Sequence, residues 1–206
     1  MCAGPSYDRA HAPENTIASF DKAIALGCDE IETDAWLMED GKLVIGHDGP
    51  VSSDGLLTLD DVLDHCKGKL GVNVEMKCAW SDTQAHETGV RVAQRLGERN
   101  DDAVYVSSFW YEALAGAREA APRVRRAFVY GAAPDMAALL GQARALELWG
   151  LHPERYYVTP GRVSATHAAG LVVNVWTVND PAEIARLASW GVDGIMSDYP
   201  ERVPKG

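Results

Sequence analysis

The sequence lacks the long apolar runs, paired cysteines and leader-like start that would assign it to a membrane, metal-thiolate or secreted class. No apolar stretch among its 206 residues approaches the roughly 20 residues needed to span a bilayer. The four cysteines, Cys2, Cys28, Cys66 and Cys78, form no C-x-x-C pair, which favours free thiols in a reducing compartment. Residues 1–6 contain neither a basic segment nor an apolar stretch. We therefore expect a cytoplasmic protein without a transmembrane segment.

Positive charge is also scarce. Nineteen basic residues stand against thirty acidic residues, which gives a formal net charge of −11. A field of this sign repels a polyanion, so we expect no nucleic-acid partner. A small phosphate ester is still compatible with this charge, because a bound metal ion can reverse the field inside one pocket.

What recurs along the chain is a short, β-rich apolar run followed by a longer helical segment. Strands are predicted at residues 30–36, 70–76, 104–106, 125–129, 146–150, 171–176 and 194–196. Helices are predicted at residues 16–26, 59–66, 83–98, 110–119, 134–145, 160–169 and 181–190. Gly27 and Gly170 stand where glycines end helices, and Pro181 suits a first helical turn.

Strands that alternate with helices predict a parallel sheet, because each crossover returns the chain to the same edge. Seven strands are visible, and residues 1–3 provide a truncated first strand. An open seven-stranded sheet is the alternative, but the sequence has no G-x-G-x-x-G or P-loop motif of the nucleotide-binding open sheets. We therefore predict one domain over residues 1–206, an α/β chain folded as a (β/α)₈ TIM barrel. Its chemistry should lie at the carboxyl ends of the strands.

Two acids lie on one face of the strand at residues 30–36. Glu32 and Asp34 alternate with Ile31, Thr33 and Ala35, so the acids point one way and the smaller residues the other. Carboxylates that point into a barrel are costly when unpaired, and a hard divalent cation such as Ca²⁺ or Mg²⁺ relieves that cost. The alternative is an acidic edge strand that faces water.

The next strand adds a third acid and a lysine. Glu75 and Lys77 lie on one face at the end of the strand at residues 70–76. Together with Glu32 and Asp34, Glu75 completes a three-carboxylate cation site, and Lys77 can neutralise excess charge or bind a phosphate oxygen. The alternative for Glu75 and Lys77 is a structural ion pair at the barrel rim.

A histidine follows a predicted hairpin. Asp40 and Gly41 form a turn, and the apolar run at residues 43–45 leads directly to His47. The hairpin would bring His47 back over the barrel mouth, where it can act as a general acid or base. A surface or packing role is the alternative for a lone histidine, and the neighbouring acids favour the catalytic role.

With these residues in place, the sequence resembles the glycerophosphodiester phosphodiesterase family along nearly its whole length. The matching motifs, in order, are Ala12-Pro13-Glu14-Asn15-Thr16, Ile31-Glu32-Thr33-Asp34, His47-Asp48, Asn73-Val74-Glu75-Met76-Lys77, Ser107-Ser108-Phe109, Val175-Trp176-Thr177-Val178-Asn179-Asp180, Gly191-Val192-Asp193-Gly194-Ile195 and Asp198-Tyr199-Pro200. Each motif alone is weak evidence, whereas the ordered set is specific.

The resemblance implies a (β/α)₈ barrel that uses a divalent cation and two histidines to hydrolyse glycerophosphodiesters. It implies that the metal ligands are Glu32, Asp34 and Glu75 and that the retained acid/base is His47. It also implies that Lys77 binds the phosphate and that Trp176 forms a wall of the pocket; Trp176 can equally be an inward barrel-layer side chain.

The chain departs from the family pattern at two places. The family carries several dozen inserted residues after its His-Asp motif, whereas His47-Asp48 leads within ten residues into the helix at 59–66. The family's first strand ends in Ala-His-Arg-Gly, whereas this chain begins Met1-Cys2-Ala3-Gly4. Arg9 and His11, a few residues downstream, are minor candidates to replace the missing pair.

Three functions follow from these motifs. The first is a metal-dependent hydrolase of glycerophosphodiesters or a related small phosphodiester. The second is a catalytically impaired family member that binds a phosphate ester or a partner through a retained metal site. The third is an unrelated barrel enzyme that uses a carboxylate-bound metal, and the motifs at residues 175–200 disfavour it.

Overall fold

The computed structural model describes residues 12–78 and 81–204 as a mixed α/β fold. Its strands are β1 (Glu30–Leu37), β2 (Leu43–Ile45), β3 (Gly71–Lys77), β4 (Val104–Ser108), β5 (Arg126–Tyr130), β6 (Gly150–Pro153), β7 (Val172–Val175) and β8 (Gly194–Ile195). Its α-helices are α1 (Ile17–Leu26), α2 (Leu59–Cys66), α3 (Asp82–Arg99), α4 (Tyr111–Ala120), α5 (Met136–Ala145), α6 (Pro160–Ala168) and α7 (Pro181–Ser189). Among the described residues, no helix is long and apolar enough to cross a bilayer.

The eight strands form one curled sheet in the order β2-β1-β3-β4-β5-β6-β7-β8. The pairs from β1 through β8 are parallel, and β2 pairs with β1 in antiparallel fashion as the predicted hairpin. Residues on β1 and residues beside β8 line the same cavity, which requires the sheet to curl until its distant strands face each other. The parallel sheet that the sequence predicts is therefore present, and an α-helix lies between each pair of successive parallel strands.

Alternation along the strands separates an apolar layer from a polar interior. On β1, Ile31, Thr33 and Ala35 are fully buried against the helices. The register pairs Asp34 with Glu75 and Glu32 with Asn73 on the opposite face, so polar residues of β1 and β3 stand side by side. This register places the predicted acids next to one another at the carboxyl end of the sheet.

Helix ends follow local side-chain chemistry. Thr16 and Thr58 cap α1 and α2 through reciprocal side-chain bonds to the first turn of each helix. Gly27 ends α1 with φ of 68°, a left-handed conformation that favours glycine. The predicted bounds of α2 are confirmed, and those of the other helices differ by at most two residues at each end.

One predicted strand was wrong. Residues 146–150 alternate in hydrophobicity, but the strand is β6 at Gly150–Pro153 and the preceding residues form a turn. Leu146 caps α5, Glu147 has a φ of 51°, and Leu148 is buried. A helix–strand turn that inserts its leucines into the core produces the same hydrophobic pattern as a short strand. The predicted first strand at residues 1–3 lies outside the described residues.

The tightest packing between helices depends on a glycine. A Cβ added to Gly89 on α3 would overlap the backbone carbonyl of Ala113 on α4. Gly89→Ala should therefore force the two helices apart and lower the free energy of unfolding by about 3 kcal/mol, the upper end of the overpacking range. Urea denaturation measures this value. Gly141→Ala on α5 is the matched control, because a Cβ there meets nothing within 4 Å. Equal stability of the two variants would contradict the packing argument.

Candidate active site

Three carboxylates converge at the carboxyl ends of β1 and β3. One carboxylate oxygen each from Glu32, Asp34 and Glu75 lies within 4.8 Å of the other two. Two oxygen ligands of one Ca²⁺ ion, each 2.3–2.6 Å from the metal, are themselves separated by at most about 5 Å. The spacing of the three acids is therefore compatible with ligation of a single hard cation.

Lys77 forms ion pairs with two of these acids. Its Nζ lies 3.1 Å from Asp34 Oδ1 and 2.7 Å from Glu75 Oε1. The side chain is about one-fifth exposed, so solvent screens these pairs only in part. Burial lowers the pKa of Lys77, but the negative charges of Glu75 and Asp34 raise it by more, and the net shift is upward. Lys77 is therefore a permanent positive charge at this site.

The acids repel one another despite this lysine. Burial raises the pKa of Glu32 well above its usual value, and the charges of Asp34 and Glu75 raise it further. Burial likewise raises the pKa of Glu75. Among the described residues, Glu32 Oε1 is buried without a hydrogen-bond partner. These observations indicate that ionising all three acids is costly in this site.

A divalent cation fits this donor set. Three carboxylates and one lysine carry a formal charge of −2 when the acids are ionised, which one divalent ion neutralises. All the candidate donors are oxygens, which suits Ca²⁺ or Mg²⁺ rather than zinc. The residues present therefore fit the cation that the sequence predicted.

His47 lies in the same cavity as the acids. It follows β2, and its side chain is one-third exposed. Its Nδ1 lies 3.2 Å from Asp48 Oδ1. Because a carboxylate only accepts, a hydrogen bond between these atoms requires a proton on Nδ1. The structure therefore brings the predicted acid/base histidine together with Glu32, Asp34 and Glu75.

The cavity has a volume of about 330 Å³ and walls of two kinds. Lys77 and the acids line one side, whereas Phe109, Val129, Trp176 and Met196 supply apolar surface. Phe109 packs edge-to-face against Trp176 with ring centroids 5.6 Å apart, and Trp176 Nε1 donates to the carbonyl of His152 at 2.8 Å. Trp176 therefore forms a wall of the cavity in a fixed orientation.

The floor of the cavity is polar and uncharged. Asn73, Ser107 and His152 line it and are almost completely buried. Burial lowers the pKa of His152 to about 3, so its ring is neutral at physiological pH. Its Nε2 lies 3.2 Å from Asn174 Nδ2, an amide donor. The sequence did not indicate His152 as a site residue, because the predicted strand ended at Gly150, two residues before it.

Two polar residues before α1 also reach the site. Asn15 donates from Nδ2 to Asp34 Oδ2 at 2.9 Å. Glu14 is near enough to His47 and Asp34 to interact with both electrostatically, and burial raises the pKa of Glu14. In the sequence these residues carried a family motif but no assigned role. Their link to β1 becomes visible only when the chain is folded.

Comparison with known proteins identifies the family of this chain. The model of the glycerophosphoryl diester phosphodiesterase family matches residues 8–53 and 49–202. The chain belongs to this family. It is a hydrolase of the glycerophosphodiester phosphodiesterase type. The family resemblance expected from the ordered motifs is therefore confirmed.

Individual relatives match over nearly their whole length. The glycerophosphodiester phosphodiesterase of Caldanaerobacter subterraneus subsp. tengcongensis is 28% identical over 227 residues, which cover 94% of this chain and 92% of the relative. An Oleispira antarctica phosphodiesterase, solved in complex with the product sn-glycerol-3-phosphate, is 26% identical with a TM-score of 0.86. That match covers 98% of this chain and 94% of the other.

A second solved structure supports the fold alone. The glycerophosphodiester phosphodiesterase of Parabacteroides distasonis superposes with a TM-score of 0.83 at 21% identity, over 97% of this chain and 93% of the other. Similar coverage in both directions shows that the two folds correspond along almost their whole length. The family's members adopt folds of the TIM-barrel type, which agrees with the curled parallel sheet.

The burial of Glu32 and its repulsion by the neighbouring acids predict an unusual pH dependence. Because the folded-state pKa of Glu32 exceeds the unfolded value of 4.5, the folded protein holds a proton that the unfolded chain releases. Stability with EDTA should therefore fall as pH rises from 4.5 through the folded-state pKa. Glu32→Gln should remove part of this loss and raise the Tm at pH 8 by about 2–4 °C, for a gain of order 1 kcal/mol.

Thermal melts with EDTA and with Ca²⁺ or Mg²⁺ measure both effects. At 100 times its Kd, the ion should stabilise the unmodified protein by about 2.7 kcal/mol, and Glu32→Gln should lose most of that gain. A variant that melts lower than the unmodified protein in EDTA at pH 8, or one that keeps the full metal-dependent shift, would contradict the electrostatic account.

Proposed function

We propose that the chain is a metal-dependent hydrolase of glycerophosphodiesters or a related small phosphodiester. In this proposal Glu32, Asp34 and Glu75 bind one Ca²⁺ or Mg²⁺ ion. The observation that carries it is the convergence of three carboxylates within 4.8 Å at the mouth of a sheet whose family hydrolyses phosphodiesters. The raised pKa of Glu32, caused by burial and by the charges of Asp34 and Glu75, shows that ionising this acid is costly, and a bound cation would offset that cost.

Lys77 and Trp176 are the proposed substrate-binding residues. Lys77 is held beside the cation ligands by its two ion pairs, so its charge lies where a phosphate bound near the cation would need it. Trp176 and Phe109 present aromatic surface to the same cavity and restrict where the organic part of a diester can lie. A bound cation would supply electrostatic stabilisation of charge on the phosphoryl oxygens.

His47 is the proposed acid/base. Its Nδ1 proton faces Asp48, so Nε2 is the nitrogen that would exchange a proton with the leaving alcohol. His152 is a poor substitute, because it is neutral and its Nε2 already faces an amide. Proton transfer in this cavity is therefore assigned to His47.

The size of the cavity favours a small diester. Its volume of about 330 Å³ and its uncharged polar floor suit a compact alcohol with hydroxyl groups rather than a polymer. The Oleispira antarctica neighbour was solved with sn-glycerol-3-phosphate as its product. By analogy with it, we infer that the same kind of product forms here.

The proposal extends to the fold. Seven parallel strands, curled around one cavity and matched along their length by family structures, support a closed (β/α)₈ barrel in one domain over residues 1–206.

His47→Ala tests the catalytic assignment. We expect turnover to fall about 10²–10⁴-fold, the usual cost of losing a general acid, while metal affinity stays nearly unchanged. The assay follows release of glycerol phosphate from glycerophosphoethanolamine with Ca²⁺, with Mg²⁺ or with EDTA, and EDTA should abolish it. His65→Ala is the matched control, because His65 pairs with Asp21 on α1 rather than lining the cavity.

Two results would contradict the proposal. Full activity of His47→Ala would place the acid elsewhere, with His11 the first candidate. Absence of turnover with every divalent cation would favour a protein that binds phosphate esters without hydrolysing them.

Because the chain lacks the family's His-Arg pair, inserting these two residues between Ala3 and Gly4 should increase turnover.

A further inference from the structure

Both polar atoms of the Asn15 side-chain amide form hydrogen bonds to residues of β1. Its Oδ1 accepts from Thr33 Oγ1 at 2.7 Å and from the backbone N–H of Asp34 at 3.3 Å. Its Nδ2 donates to Asp34 Oδ2 at 2.9 Å. Lys77 Nζ lies 3.1 Å from the other oxygen of that carboxylate. Asp34 is thus held on both of its oxygens, and Asn15 supplies one of the two contacts.

The backbone of Asn15 adopts a conformation that few residues tolerate. Its φ of 54° lies in the left-handed region, where asparagine is enriched several-fold and most other side chains are strained. Aspartate would bring a second carboxylate against Asp34 and would lack the N–H donor. Glycine would keep the backbone but would lose all three bonds. Asparagine therefore meets both requirements of this position.

The same arrangement occurs a second time in the fold. Asn179 Nδ2 donates to Asp198 Oδ2 at 2.8 Å, and its Oδ1 accepts from the backbone N–H of Asp198 at 3.0 Å and from Ser197 Oγ at 3.2 Å. In both cases the asparagine directly precedes the N-cap of a helix, and its carboxylate partner lies 19 residues later in the chain. Asp34 lies in the second half of β1, whereas Asp198 lies three residues after β8. The fold thus uses the same set of asparagine contacts twice to hold a carboxylate.

The bond from Asn15 Nδ2 to Asp34 Oδ2 indicates that Asn15 does more than attach a loop to β1. The contacts to Thr33 Oγ1 and to the backbone of Asp34 would suffice to tie the loop before α1 to β1. The contact from Nδ2 orients the Asp34 carboxylate. This carboxylate is 4% exposed and is one of the three converging acids, with Glu32 and Glu75. Partners that orient metal-binding carboxylates tune metal affinity strongly.

We propose that Asn15 is a positioning residue for the cation site and sets the orientation of the Asp34 carboxylate. This inference rests on the proposed cation site and adds a residue outside the acidic trio. It assigns a function to the asparagine of the Glu14-Asn15-Thr16 segment, beside the role of Thr16 as the cap of α1.

Asn15→Gly is the variant that isolates the amide, because glycine accepts the positive φ. The measurement is binding of Mn²⁺ alone, by electron paramagnetic resonance or calorimetry, without substrate. We expect the affinity to fall about 10–100-fold. Asn100→Gly is the control for the backbone, since Asn100 has a φ of 49° at the end of α3. Asn179→Ala removes the corresponding three bonds to Ser197 and Asp198, and both controls should bind Mn²⁺ as the unmodified protein does.

A double-mutant cycle makes the test specific. Asp34→Asn should weaken Mn²⁺ binding, and the further loss on adding Asn15→Gly should be much smaller than the loss that Asn15→Gly causes alone. Unchanged affinity in Asn15→Gly, equal losses in all three asparagine variants, or additive losses in the cycle would overturn the inference. Failure of the unmodified protein to bind Mn²⁺ would instead reject the cation site, and this inference with it.

Discussion

Mutual repulsion of three carboxylates at one end of two adjacent strands is the constraint on which the rest of the site depends. The parallel register places Asp34 beside Glu75, and the pleat points Glu32 to the same side. Sheet geometry therefore concentrates negative charge that a folded protein cannot leave uncompensated. Lys77 offsets part of it, and a divalent cation would offset the remainder. The same positive charges would attract a phosphodiester, so the acids whose ionisation is costly are also the basis of the proposed binding site.

The sequence predicted the parts of this site that depend on strand periodicity. Alternation along residues 30–36 and 71–77 was enough to place three acids and Lys77 on one face, because a strand has only two faces. It could not show that Lys77 contacts two acids at once, since that depends on the register between β1 and β3. The bonds from Asn15 to β1 were also out of reach, because they join residues that are 18 and 19 positions apart.

Errors in the predicted fold came from one ambiguity. The leucines in the turn after α5, of which Leu148 is buried and Leu146 partly buried, resemble a strand in the sequence. The predicted strand therefore lay several residues too early, and His152 on β6 was missed. The helices were easier to predict, because residues such as Gly27 and Pro181 mark helix ends through local chemistry alone. Local signals therefore defined the elements, whereas contacts between elements defined the site.

Anomalous diffraction from crystals soaked in Mn²⁺ tests the central claim most directly. The account predicts one strong peak per chain at the carboxyl ends of β1 and β3, with an oxygen from each of Glu32, Asp34 and Glu75 within about 2.0–2.6 Å of the ion, the range for hard cations. The peak should disappear in Glu75→Gln. No peak at this position, or a peak ligated by other residues while Lys77 keeps both ion pairs, would contradict the account.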